Sequence, residues 1–174
     1  MFPVDCERHK YLVSGQAREI TNNRTHYMQS DIKPYEEKYR EQIISIWEKS
    51  VRATHDFVKP NDIDYFKQIV KGIDFHSFSV YCLTSENKVI GFIGIADCTI
   101  EMLFLDPDFI GQGLGTKLMN FALLELKANK VDVNEQNSKA VKFYSKFGFT
   151  TYERTEKDPE GKDYPILKMK LKKY

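Results

Sequence analysis

The stretch FLDPDFIGQGLGTKLM, residues 104–119, leaves an apolar run through a proline, places Gly111, Gly113 and Gly115 within five positions, and continues as a helical pattern. The other six of the chain's nine glycines are spread thinly, so this cluster needs a physical reason. A strand that enters a glycine-rich turn at a helix start brings free backbone N–H groups and the positive end of the helix dipole to one point, which makes an anion site. A side chain at Gly111, Gly113 or Gly115 would hold a phosphate off the backbone or forbid the turn. No Gly-Lys-Ser/Thr follows, as a P-loop requires, and the G-x-G-x-G spacing differs from the dinucleotide G-x-G-x-x-G, whose loop follows the first strand of its fold.

Upstream of the glycines, residues 76–84 (HSFSVYCLT), 88–96 (KVIGFIGIA) and 99–106 (TIEMLFLD) read as three strands, with the polar SENK making a hairpin turn between the first two. Before them a short strand and turn at 28–38 leads to a helix carrying Ile43, Ile46, Trp47 and Val51 at helical spacing. A second helix follows Pro60, with Asn61 expected as its N-cap, Asp62 and Asp64 in the positive first turn, and Ile63, Phe66 and Val70 on its apolar face. Downstream, the helix after the glycines is expected to bury Leu114, Leu118, Ala122 and Leu126, and KVDVNE, 130–135, reads as a short strand. A last helix, 137–148, should end at Gly148 as C-cap, and 149–156 and 164–171 read as a closing hairpin around KDPEGKD. The order predicts an α/β, mixed α+β domain with a central sheet carrying helices.

Composition bounds the function. At 174 residues with 41% hydrophobic and 13% aromatic content, one globular domain suffices. The 26 Lys and Arg against 25 Asp and Glu give a net charge of +1, without the basic excess that phosphate backbones require, so no nucleic-acid partner is expected. No apolar run approaches the roughly 20 residues that cross a bilayer, so no membrane role is expected. Asp5 and Glu7 occupy the place of a signal peptide's basic and apolar regions, and Cys6, Cys82 and Cys98 are odd in number and far apart, so the expected compartment is cytoplasmic. Residues 1–27 are polar and aperiodic and read as a tail or extension on a domain spanning 28–174.

Two segments, LFLDPDFIGQGLGTKLM (103–119) and VDVNEQNSKAVKFYSKFGF (131–149), resemble the two halves of the acetyl-CoA site in the GNAT superfamily of N-acetyltransferases. The first is similar to the family's V-x-P-x-x-R/Q-G-x-G-x-G/A loop and the second to its N-x-x-A-x-x-F-Y-x-K-x-G-F segment, Asn137 to Phe149. The stretches 50–57 (SVRATHDF) and 161–169 (GKDYPILKM) look like a bacterial subgroup of uncertain substrate. Ile110 departs from the pattern, standing where the family has Arg or Gln and removing one contact to the pyrophosphate.

The resemblance implies a mostly antiparallel sheet with two splayed strands, flanked by about four helices. It implies acetyl-CoA as co-substrate, its pyrophosphate on the backbone of Gly111, Gln112, Gly113, Leu114, Gly115 and Thr116, and its pantetheine arm along Leu103, Phe104 and Leu105. Asn137 would bind CoA or cap the last helix, or both. Tyr144 would donate to the departing sulfur, either as a plain hydrogen-bond donor or with a lowered pKa, and would otherwise be a core aromatic beside Phe143 and Phe147. An amine acceptor must lose a proton before attack. Glu101 and His55 are the candidate bases, with Asp56 a helix cap and Cys98 a packing residue. Direct transfer in a ternary complex to a protein lysine, an N-terminus or a small amine is the implied activity, and no metal is implied. A catalytically silent acyl-CoA-binding or regulatory module is the rival, discriminated by Tyr144, and the chain would be a monomer or homodimer. Because the periodic pattern begins only near Met28, deleting residues 1–27 should leave the cooperative thermal transition within a few degrees of the full chain, measured by circular dichroism.

Overall fold

The computed structural model describes residues 29–172; the expected tail at 1–27 lies outside the described residues. In chain order the elements are β1 (Asp31–Pro34), α1 (Arg40–Thr54), α2 (Pro60–Gly72), β2 (Ser79–Ser85), β3 (Lys88–Ala96), β4 (Thr99–Leu105), α3 (Leu114–Leu124), β5 (Lys130–Asn134), α4 (Ser138–Lys146), β6 (Phe149–Thr155) and β7 (Ile166–Leu171). The seven strands make one sheet in the order β1-β2-β3-β4-β5-β7-β6. Every neighbouring pair is antiparallel except β4 and β5. The β2–β3 and β3–β4 hairpins turn through residue pairs held at positive φ, Glu86–Asn87 and Asp97–Cys98, the handedness that matches strand twist.

Alternation along these strands feeds two cores. Ile43, Trp47 and Val51 of α1 and Val70 of α2 pack with Phe75 and Phe92 on one face, and Leu118, Met119 and Ala122 of α3 pack with Ile93, Ile100, Val131 and Phe149 on the other. The expected α/β architecture with its splayed, mostly antiparallel sheet and four helices is therefore the one observed.

Three local expectations change. The N-cap of α2 is Lys59, not Asn61, and makes no side-chain capping bond. Proline's fixed φ and missing N–H suit it to the first helical position, which moves the cap two residues earlier and leaves Asp62 third in the helix. Asp56 therefore caps neither α1, whose C-cap is His55, nor α2. Finally, α3 stops at Leu124, so Leu126 sits beyond the helix and half-buried, while Ala128 supplies the next fully buried position. Among the described residues no helix is long and apolar enough to cross a membrane.

Strand β4 lies so close to β3 that side chains are excluded at one point. A Cβ added to Gly91 would stand 2.5 Å from Leu105 Cδ2 and 2.9 Å from the Phe104 carbonyl oxygen. The leucine tip can turn aside, but the backbone oxygen is held by the ladder. Gly91→Ala should therefore destabilise the domain by about 1–3 kcal/mol, read as a lowered midpoint in urea unfolding, because β4 must shift to admit one methyl group.

Candidate active site

The glycine turn connects β4 to α3. Gly111 and Gly113 have φ of +86° and +80°, and Gly113 is the N-cap of α3. A Cβ at either would meet nothing within 4 Å, so the left-handed backbone, not lack of room in the protein, requires glycine there. Gly115 differs: its φ is not positive, and an added Cβ would lie 3.4 Å from Phe143 Cζ of α4, at ordinary van der Waals contact. The bond from Lys117 N to Gly113 O, 3.1 Å, closes the first helical turn, so the amides of Leu114, Gly115 and Thr116 precede any intrahelical acceptor. Gln112 spends its side chain on the turn itself, Nε2 donating to Asp108 O at 3.0 Å. Ile110 is 48% exposed at the turn's surface.

Beside this turn the sheet opens. Strands β4 and β5 pair only at Thr99↔Lys130 and Ile100↔Val131. From there β4 continues with β3 as far as Leu105↔Gly91, whereas β5 follows β7 to Asn134↔Ile166, so a wedge separates them. Register shifts between Gly94 and Ile95, which oppose Met102 and Ile100, leaving Glu101 as the extra residue of a bulge. A bulge re-aims side chains and leaves a backbone group outside the ladder. Here it sends Glu101 and Met102 together into a cavity of about 350 Å³ also lined by His55, Phe104, Asn134 and Tyr164. Leu103 and Leu105 turn to the opposite face and pack in the cluster that contains Tyr144. The structure thus brings Glu101 and His55 into one cavity, with Phe104 on its wall, and puts Tyr144 behind β4 in contact with the other core.

The electrostatics separate the two candidate bases. Partial burial pushes the Glu101 carboxyl above its ordinary range, with Asp132 and Asp97 adding repulsion. Burial of the His55 ring lowers its pKa from 6.5 to about 4, despite the opposing charge of Asp56. The hydrogen bonds around His55 fix its tautomer. Asn137 Oδ1 accepts from Ala140 N at 3.1 Å, capping α4, so its Nδ2 amide group faces His55 Nε2 at 3.4 Å. That nitrogen is then the acceptor and Nδ1 carries the proton, donating to Thr54 Oγ1 at 2.8 Å, while the hydroxyl donates to Ser50 O at 2.7 Å. Asn137 therefore caps its helix, one of the two roles its position allowed, and also touches the end of α1. Tyr144 is buried, its ring 5.4 Å from Phe143 and 6.1 Å from Phe149, and burial pushes its hydroxyl pKa up, not down. Cys98 lies in the β3–β4 turn at the paired end of the wedge, its carbonyl accepting from Asn129 N and Lys130 N at 2.8 and 3.2 Å.

Sequence reasoning missed the cavity's outer wall, Asp158, Pro159, Glu160 and Tyr164 of the β6–β7 loop. Those residues stand about a hundred positions from the helix they meet, and no periodicity connects segments so far apart.

The neutral state of His55 stabilises the fold above pH 6.5, its unfolded pKa, and that contribution is lost as pH falls toward about 4, because only the unfolded chain takes up the proton. His55→Gln, neutral throughout, should narrow its stability gap to wild type by on the order of 2–3 kcal/mol across that window, measured by urea unfolding at a series of pH values.

The family model for an acetyltransferase (GNAT) domain matches residues 37–173. The peptidyl-lysine N-acetyltransferase YjaB of Salmonella typhimurium is 36% identical over 129 residues, spanning 74% of this chain and 89% of that protein, and its Escherichia coli counterpart is 34% identical over 129 residues, spanning 74% and 88%. The solution structure of apo YjaB from Escherichia coli superimposes with a TM-score of 0.76 at 32% identity, over 83% of this chain and 98% of that one. The PaiA N-acetyltransferase of Thermoplasma acidophilum, solved with coenzyme A, shares the fold with a TM-score of 0.63 at 19% identity, over 83% and 100% of the two chains. Matched along most of its length by that family and folded around the family's opened sheet and glycine turn, the chain belongs to the GNAT acetyltransferases and is an N-acetyltransferase.

Proposed function

We propose that the protein moves the acetyl group of acetyl-CoA to a lysine-type primary amine by direct attack in a ternary complex. The observation that carries this reading is the wedge between β4 and β5, which joins the glycine turn to the cavity holding Glu101. The first-turn amides, Gly111 to Thr116, would take the pyrophosphate, since N–H groups and helix dipole converge there. The backbone of β4 from Leu103 to Leu105 would pair with the pantetheine arm, which supplies the acceptors and donors that β5 withdraws. The acetyl carbonyl would then lie near the bulge at Glu101, where a backbone N–H can stabilise the oxyanion that forms as the amine attacks.

Glu101 takes a proton and Tyr144 gives a hydrogen bond. A lysine ammonium with pKa near 10.4 gives its proton to a base before the nitrogen attacks. Glu101 is the better of the two candidates, because its raised pKa narrows the gap to the amine and its carboxylate reaches into the cavity. His55 is the weaker base, with a lowered pKa and its free lone pair turned to Asn137, and we assign it the task of holding that asparagine. As the C–N bond forms and the C–S bond breaks, the thiolate takes a hydrogen bond from Tyr144. With ordinary pKa values near 10 and 8.5, full proton transfer from tyrosine to thiolate is already uphill by about 2 kcal/mol, and burial of Tyr144 raises that cost. Tyr144 therefore acts as a donor to the sulfur, and the amine's remaining proton, not the phenol's own, neutralises the thiolate.

The exposed Ile110 in place of a basic or amide side chain favours the silent acyl-CoA binder, since it leaves phosphate binding to the backbone alone. Lysine peptides and polyamines incubated with acetyl-CoA and assayed by mass spectrometry separate the two readings. Transfer should be found, and Tyr144→Phe should lower turnover at least about tenfold while the acetyl-CoA Kd by calorimetry holds. Full turnover in that variant would remove Tyr144 from the chemistry, and tight acetyl-CoA binding without transfer to any amine would establish the silent binder.

A further inference from the structure

The loop at 156–165, between β6 and β7, is fastened to the first turn of α2 by contacts that the acetyl transfer does not itself use. The Asp62 carboxylate is divided between two residues of the loop, Oδ1 accepting from Lys162 Nζ and Oδ2 from the Tyr164 hydroxyl, each at 2.6 Å. The same hydroxyl oxygen accepts from Lys59 N at 3.1 Å, which ties it to the cap of the helix as well. The Lys162 ammonium lies 4.6 Å from the centre of the Tyr65 ring and 5.9 Å from that of Phe66, and the Tyr65 hydroxyl donates to Glu160 Oε2 at 3.1 Å. The side chains of Asp62 and Lys162 are only 20% and 29% exposed, so this pair is better shielded from water than a surface ion pair. Its position third in α2 also sets the Asp62 charge against the helix's positive end.

The clasp has a mechanical consequence. Helix α2 is itself pinned to α1 through Lys67–Glu48 and Arg52–Asp64, both 2.5 Å, and the C-cap of α1, His55, lies on the cavity wall. The two helices and the loop therefore form one arc around the cavity, and Asp62 is the joint between helix and loop. Asp62 and Lys162 do not line the cavity, whereas Tyr164, Glu160 and Asp158 of the clasped loop do. Aromatic and methionine surfaces from Phe66, Phe104 and Met102, ringed by the carboxylates of Glu101, Asp158 and Glu160, suit an acceptor with a long aliphatic stem and a cationic head.

We propose that Asp62 is a positioning residue for the acceptor: by clasping Lys162 and Tyr164 it holds the 156–165 loop as the outer wall of the amine cavity and so decides which amines fit. The inference rests on the reading of that cavity as the acceptor site. Its test compares wild type, Asp62→Asn, Lys162→Met and the double variant, with acetyl-CoA and a lysine peptide as substrates. Asp62→Asn keeps the side chain's shape but removes the charge that holds Lys162. The acceptor KM should rise about tenfold or more in each single variant, with kcat at saturating peptide and the acetyl-CoA Kd near wild type. The double variant should be no worse than the poorer single one, because both break the same joint. Amide hydrogen exchange at 158–164 should quicken in all three variants. An unchanged acceptor KM, or an acetyl-CoA Kd that weakens in step with it, would overturn the proposal, as would unaltered exchange in the loop. Exchange reads the clasp without any turnover, so a wild-type protein that acetylates no amine would sink the reading of the cavity while leaving the clasp decided on its own.

Discussion

Strands β4 and β5 are hydrogen-bonded at two positions, Thr99↔Lys130 and Ile100↔Val131, and then diverge. Backbone N–H and C=O groups on the inner edge of β4 are thereby withheld from the sheet, and such groups must find a partner. The rest of the molecule keeps that edge in place. Gly91 lets β3 hold β4 at close range, the Asp106 amide donates to Ile90 O at 2.9 Å just past the strand's end, and Lys49 of α1 meets the Asp106 carboxylate at 3.1 Å. On the far side β5 is carried away by its five-residue ladder with β7. A ligand with its own amides, such as the pantetheine arm of the mechanism proposed above, would complete the opened edge.

The two faces of β4 then do different work, and the bulge at Glu101 sets the division. Leu103 and Leu105 face the core with Tyr144, α3 and α4, where the low dielectric raises the tyrosine's pKa and makes it a poor acid but a sound hydrogen-bond donor. Glu101 and Met102 face the cavity with α1 and α2, where partial burial and two neighbouring carboxylates make Glu101 a stronger base than an ordinary glutamate. Two polar joints, His55 to Asn137 and Asp62 to Lys162 and Tyr164, close the circle of elements around that cavity. Each links segments roughly eighty to a hundred residues apart, so each spans the wedge instead of stabilising one element.

What the sequence by itself determined is what is coded locally. Helical periodicity and short apolar runs bounded by turn residues place the helices and strands, because burial is written into neighbouring residues, and the positive φ of Gly111 and Gly113 follows from glycine being the residue that adopts it cheaply. Asn137 is legible as a cap for the same reason, since its acceptor, Ala140 N, is three residues away. The N-cap of α2 was read two residues late, where proline's own constraint outweighed asparagine's capping preference. Tertiary structure decided what depends on distant partners: the parting of β4 from β5, the bulge that turns Glu101 into the cavity, the depressed pKa of His55, the raised pKa of Tyr144 and the clasp at Asp62. Burial and hydrogen-bond partners set all of these, and both come from segments that only the folded sheet brings together.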